Sequence, residues 1–175
     1  MESAGEDGKA LNKLYPNETW KSEKISDSAS LFISSSREED GAKDPAVYES
    51  DKMMASVLAK ETGKNVFMLP ERNKGGKNPD CYFEGATLEM KHVRGAQRKV
   101  GKNAVYALEQ SENVFLYIDK SFSIEACLSG INGFYYRAKN QAEKDGLPFI
   151  EPNSQALLCI FVQGTLHRHT WGDVL

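Results

Sequence analysis

Cysteine is scarce in this chain: Cys81, Cys127 and Cys159 are the only three among 175 residues. Three scattered thiols exclude a disulfide framework and a four-ligand structural zinc site. Histidine is equally rare, with His92, His167 and His169. No apolar run approaches the ~20 residues of a membrane span. The first thirty residues carry four acids before Trp20 and no apolar segment, which excludes a secretory signal. These absences predict a soluble, cytoplasmic protein with free thiols and no membrane partner. A large excess of one charge is also missing, because 22 Lys and Arg stand against 25 Asp and Glu, for a net charge of −3. That balance argues against a protein that coats nucleic acid non-specifically, but not against an enzyme with a local basic cleft. The length suits about one domain, large enough to bury roughly 70% of its unfolded surface without metal or disulfide support.

What charge there is lies unevenly. Residues 1–50 hold 6 basic and 11 acidic side chains, and residues 51–175 hold 16 and 14. Between Lys91 and Lys102 stand Lys91, Arg94, Arg98, Lys99 and Lys102, with His92 and no acid. A solvated basic face is the plain reading of such a run. A strip that contacts phosphates is the functional one.

The chain divides into a polar lead-in over residues 1–28, expected to be loosely docked and partly disordered, and a single domain over 29–175. Leu31-Phe32-Ile33 reads as a short strand and 36–44 as a loop. Asp44-Pro45 is a helix start, Asp as cap and Pro in the first turn. The helix runs to Glu61 with Val47, Met54, Val57 and Leu58 on one face, and Gly63 stops it. Residues 65–69 read as a strand, and 71–79 as a loop with adjacent glycines. Two strands follow, 81–83 and 87–93, around Gly85. A helix over about 103–112 leads to a strand at 113–119 whose run Val114–Ile118 suits burial on both faces. Residues 122–144 are helical in pattern, with Gly130 and Gly133 predicting two pieces. The chain closes with a strand at 156–162 and a return strand from Gly164 through Trp171. This order predicts an α/β layer arrangement with a mixed sheet.

The informative segment runs from Asn78 to Lys91. It holds the only Pro-Asp pair, Pro79-Asp80, and the only Glu-x-Lys, Glu89-Met90-Lys91. A tight hairpin near Gly85 with two or four loop residues makes cross-strand partners sum to 169 or 171. Asp80 then faces Glu89 or Lys91. Glu89 and Lys91 share a face by alternation, so either register gathers Asp80, Glu89 and Lys91 on one side. Cys81, Phe83, Leu88 and Met90 gather on the other, which is apolar. Two carboxylates held together repel. A divalent cation with hard oxygen ligands, Mg²⁺ or Mn²⁺, resolves the conflict. An adjacent ammonium can orient water or neutralise a phosphate, and such a site suits phosphodiester hydrolysis. The plain alternative is a surface hairpin with an ordinary Glu–Lys pair.

Asp80 with Glu89-Met90-Lys91 resembles the PD-(D/E)xK nuclease motif, and the element order resembles that superfamily's core. The run Glu49, Ala55, Leu58-Ala59, Gly63, Val66, Leu69, Glu71, Gly76, Pro79-Asp80, Gly85 and Glu89-Met90-Lys91 is similar to the C-terminal tRNA nuclease domains of contact-dependent growth inhibition toxins. Related domains occur in prophage head and minor capsid proteins. The resemblance covers roughly residues 30–120, most specifically 49–91. It implies a metal-dependent nuclease with a three-layer α/β/α core and a mixed central sheet. Asp80 and Glu89 would bind the metal, Lys91 would be the catalytic lysine, and Glu49 the first-helix acid, with Asp51 and Glu61 as rivals. Arg94, Arg98, Lys99 and Lys102 would hold the nucleic-acid backbone, with Gln110 as a polar contact on the helix after the motif. RNA, tRNA-like, is favoured as substrate over DNA, and a cognate inhibitor protein is a candidate partner. A non-catalytic nucleic-acid-binding or structural module from a phage or mobile element is the alternative of another class. The chain starts at Met1 without a large delivery region, so a toxin role is not implied. The region after residue 120 matches no known pattern.

Other candidates read as structural. His167 and His169 share a strand face but have no third ligand. His92 faces away from Lys91, and Cys81 alternates onto the apolar face. Tyr135, Tyr136 and Arg137 suit core packing with one exposed ring.

Overall fold

The structure is a computed structural model and describes residues 2–72 and 75–175. It is an α/β chain that divides into two compact units, Met1–Thr87 and Leu88–Leu175. Among the described residues, no helix is long and apolar enough to cross a membrane.

In the first unit, helix α1 (Gly5–Leu14) precedes strands β1 (Trp20–Lys24) and β2 (Ser30–Ser34). Helices α2 (Ser35–Gly41) and α3 (Pro45–Thr62) follow, then β3 (Val66–Met68) and β4 (Cys81–Phe83). β1 and β2 are antiparallel, β2 and β3 parallel, β3 and β4 antiparallel, so the sheet is mixed. The registers align Phe32, Phe67 and Tyr82 in one row. α1 packs there through Leu11, whose side chain is wholly buried. Helix α3 packs against β2 and β3 through Met54, Ala55, Leu58 and Ala59.

The cap signals at both ends of α3 hold. The Asp44 side chain accepts from the Val47 backbone N–H, and Gly63 takes the left-handed conformation at φ 66° that glycine enters without steric cost. Val47, expected on the apolar face, is instead 55% exposed. The lead-in also differs from expectation, since it carries α1 and β1. The apolar residues Leu11, Tyr15 and Trp20 join the Phe32–Phe67 cluster, enough to dock a polar segment. Residues 36–44 hold α2 rather than only loop. Its start is signalled by Ser34, whose hydroxyl caps the Arg37 N–H. Residues 71–79 form no helix or strand where described, and Asn73 and Lys74 of that loop lie outside the described residues.

Strand β5 (Ala86–Val93) begins in the first unit and continues into the second. Then come α4 (Arg98–Ala107), β6 (Val114–Ile118), α5 (Ile124–Lys144), β7 (Leu157–Val162), β8 (Thr165–Thr170) and α6 (Trp171–Val174). β5, β6 and β7 run parallel, and β8 returns antiparallel to β7. α4 and α5 cover the face formed by Val93, Val114, Leu116, Ile118, Leu158 and Ile160.

Two boundaries differ. α4 spans Arg98–Ala107 rather than about 103–112, because its exposed first turn carries the basic residues and hides the apolar signal. α5 is one helix rather than two pieces. A Cβ on Gly101 would lie 2.4 Å from the Gly130 carbonyl oxygen, so this glycine pair serves the close crossing of α4 and α5. Trp171 closes the second core, fully buried, with its indole N–H donating to the Glu112 carbonyl at 2.9 Å.

Candidate functional site

In the first unit the acids converge on a buried arginine. Arg37, at the start of α2, is 4% exposed. Its Nη2 donates to Asp51 Oδ2 at 2.6 Å and to Asp80 Oδ1 at 3.4 Å. Its Nη1 donates to the Leu69 carbonyl at 3.3 Å and pairs with Glu71 Oε1 at 3.4 Å. α2 places the guanidinium, α3 brings Asp51, and the end of β3 supplies the carbonyl. Asp80 is held just before β4, where its own carbonyl accepts from the Leu69 N–H at 2.9 Å. Burial and the neighbouring Asp80 carboxylate push the Asp51 carboxyl up to about 6, with Arg37 opposing the rise. A cleft of about 190 Å³ opens here, lined by Arg37, Asp40, Asp44, Tyr48, Asp51 and Glu71, among others.

The α3 acid beside Asp80 is therefore Asp51. Glu49 is exposed on the same helix, outside the lining of that cleft. Val47, expected beside Met54 and Leu58 on the apolar face, does not mark the buried side of α3.

A second polar knot lies next to this one. The buried Glu18 carboxylate accepts from the Ser35 hydroxyl at 2.7 Å and from the Ser36 N–H at 2.9 Å. It also pairs with Arg72 and accepts from the Ser36 hydroxyl. It thereby fixes the start of α2 and with it the backbone that carries Arg37.

The turn between β4 and β5 has two residues, Glu84 at φ 49° and Gly85 at φ 80°. Positive φ at both positions is the two-residue hairpin geometry, the shorter of the two loops expected. Cys81, Phe83, Leu88 and Met90 are all buried, as the alternation requires.

In the second unit, Glu89 and Lys91 stand on one face of β5, aligned with Val114 and Leu116 of β6. Lys91 Nζ donates to Glu89 Oε1 at 2.8 Å, and the Glu89 side chain is only 6% exposed against 32% for Lys91. A carboxylate this deeply placed needs a cationic partner, and the lysine two residues on supplies one. His92 points to the opposite face, where Nε2 lies 3.1 Å from Asp119 Oδ2 and the ring meets Tyr117 edge-on.

The basic strip is spread over a loop and a helix. Arg94 donates to His92 Nδ1, whereas Arg98, Lys99 and Lys102 are exposed on the first turns of α4. Gln110 lies beyond the helix, in the turn after Ala107, half-buried, with its N–H on the Ala107 carbonyl. Sequence reasoning missed Arg37, whose signal was a lone arginine in an acid-rich stretch.

Among the described residues no group of three or more His, Cys, Asp or Glu side chains is placed to hold a metal ion. Asp51, Asp80 and Glu89 are hard oxygen donors, and each carboxylate already draws a positive charge from a neighbouring side chain. Compared with protein-family models, curated proteins and solved structures, the chain matches none.

Proposed function

We propose that this protein is a metal-dependent nuclease of the PD-(D/E)xK kind, acting on RNA, with the three-layer core that the motif implies. The observation that carries the reading is the Glu89–Lys91 pair: a buried carboxylate and an ammonium 2.8 Å apart on one face of β5. The acid pair Asp51 and Asp80 around Arg37 adds support, because it shows carboxylates held together at the cost of mutual repulsion.

In this reading Asp80 and Glu89 are the ligands of Mg²⁺ or Mn²⁺, and Asp51 takes the role of the first-helix acid in place of Glu49. Bound there, the ion supplies Lewis acidity and a water of lowered pKa. Lys91 orients the attacking water or steadies charge on the scissile phosphate. Arg98, Lys99 and Lys102 hold the flanking backbone, a sequence-independent contribution that weakens with salt.

The test is cleavage of RNA and of DNA by the purified chain, with Mg²⁺ and Mn²⁺ in turn. RNA cleavage abolished by Asp80→Asn, Glu89→Gln and Lys91→Gln is the expected result. DNA cleavage alone, with the same losses, would keep the enzyme class and change the substrate. A wild-type chain as inert as its variants, with no heat on calorimetric titration of Mn²⁺, would sink the reading.

A further inference from the structure

The C-terminal half of α4 borders a cleft that the proposed chemistry does not use. It measures about 250 Å³ and is lined by Tyr106, Glu109, Ala138, Pro148, Phe149 and Ile150, with Val105 below. That size falls just under the ~300–1,000 Å³ of pockets for drug-sized ligands, and so suits one flat ring system. Apolar surface is left in water here, with Tyr106 52% and Ile150 46% exposed. The walls are nonetheless fixed. Phe134 meets the Tyr106 ring edge-on at 6.3 Å, and Phe149 meets the Tyr135 ring at 5.2 Å. Charge of each sign stands at a defined place. Glu109 lines the cleft, and Lys102, outside its lining, places Nζ 5.4 Å from the centre of the Tyr106 ring. Arg98, Lys102 and Tyr106 are spaced four residues apart, so they form one stripe along the exposed face of α4.

A flat apolar slot, an aromatic platform, a hydrogen-bond acceptor and a cationic approach form a complementary set for one ligand class. We propose that this cleft binds a guanine nucleotide. The purine stacks on Tyr106, as bases do on aromatic side chains in single-strand binding sites. Glu109 accepts from N1–H and the 2-amino group, adjacent donors that only guanine presents together on its pairing edge. Lys102, which stands over the ring, moves to the phosphate, with Arg98 one turn beyond for the next phosphate in a strand. The inference deepens the nuclease reading by naming the base its RNA substrate presents beside the basic strip, and it rests on that reading only for the strand.

Binding is measured in EDTA, so that no cleavage intervenes, by fluorescence anisotropy of labelled UUGU, UUAU and UUUU ribonucleotides and by calorimetry with GMP. Binding of UUGU at least tenfold tighter than the other two is expected. Tyr106→Ala should lower that affinity at least tenfold. Glu109→Gln should abolish the preference for G while leaving residual binding. GMP bound as tightly as UUGU identifies a free nucleotide as ligand, and a strand bound far more tightly identifies RNA. Equal binding of all three strands, or a preference for G that survives Glu109→Gln, overturns the proposal. Both side chains are exposed, and an unchanged near-UV spectrum confirms that the variants fold. Cleavage with metal is scored separately. Guanine binding without cleavage sinks the nuclease reading alone, and cleavage without guanine preference sinks this inference alone.

Discussion

Replacing Arg37 by Met removes a cation that Asp51 and Asp80 share, while keeping most of the side-chain volume. The guanidinium is nearly dry and holds four oxygens, those of Asp51, Asp80, Glu71 and the Leu69 carbonyl. Removing one partner of a buried ion pair costs about 3–5 kcal/mol, because the remaining charge is left uncompensated. Glu71 is well exposed and contributes little, so the loss falls on Asp51 and Asp80. The variant should therefore lose about 3–5 kcal/mol at pH 7.5, read from the midpoint of urea denaturation at a common slope. The loss should depend on pH. Without Arg37 the Asp51 carboxyl, raised to about 6 even with Arg37 opposing the rise, is harder still to ionise in the folded chain than in the unfolded one. The penalty is thus full at neutral pH and shrinks as pH falls toward the ordinary carboxylate range, where Asp51 is neutral in either state. A double variant, Arg37→Met with Asp51→Leu, should recover part of the loss, since it removes a stranded charge along with its partner. A cost below about 1 kcal/mol, or one equal at pH 7.5 and pH 4.5, would refute the picture of a buried cation that the fold depends on.

Other outcomes follow from single features. In wild type, the Asp51 carboxyl should titrate near 6 by carbon NMR. Its contribution to stability is complete below the unfolded value of 3.8 and is lost as pH rises through 6; a midpoint near 4 would contradict its burial beside Asp80. Gly101→Ala should cost about 1–3 kcal/mol in denaturation, because the new methyl would meet the Gly130 carbonyl and the Phe134 Cβ, 2.6 Å away. Glu84→Asn and Gln163→Asn, at φ 49° and 52°, should each raise stability by about 0.5 kcal/mol, since Asn enters the left-handed region more readily than Glu or Gln. Unchanged melting temperatures would show that these turns carry no strain.

The elements that the sequence makes legible are those whose signals are local. Asp44, Pro45 and Gly63 mark α3 because caps act within one turn. Val114–Ile118 reads as a buried strand because it is apolar throughout. The misread elements depend on distant partners. The glycines of α5 look like breaks until Gly130 is seen against Gly101 of another helix. α1 looks like a tail because its apolar residues are few, yet Leu11 with Tyr15 reaches a platform of Phe32 and Phe67 that only the folded sheet creates.

The site divides along the same line. Glu89 and Lys91 are legible because two residues on one strand must share a face, whatever surrounds them. Which acid of α3 lies beside Asp80 is not. A wheel fixes a residue's angle only relative to a known buried face, and Val47, exposed in the first turn, is a poor marker of it. Taking the face from Met54, Ala55, Leu58 and Ala59 instead turns Asp51 inward, one helical turn before Ala55 and two before Leu58. Arg37 is harder still, because an arginine in Ser-Ser-Arg-Glu-Glu-Asp resembles a solvated surface run. What buries it is the Glu18 knot that starts α2 from seventeen residues away. A conservative change at that knot, Glu18→Gln, keeps the size of the anchor but removes its charge. It should therefore loosen the setting of Arg37 and reduce the Asp51 pKa perturbation without touching either residue. An Asp51 titration left unmoved by Glu18→Gln would show that the knot and the acid pair are independent.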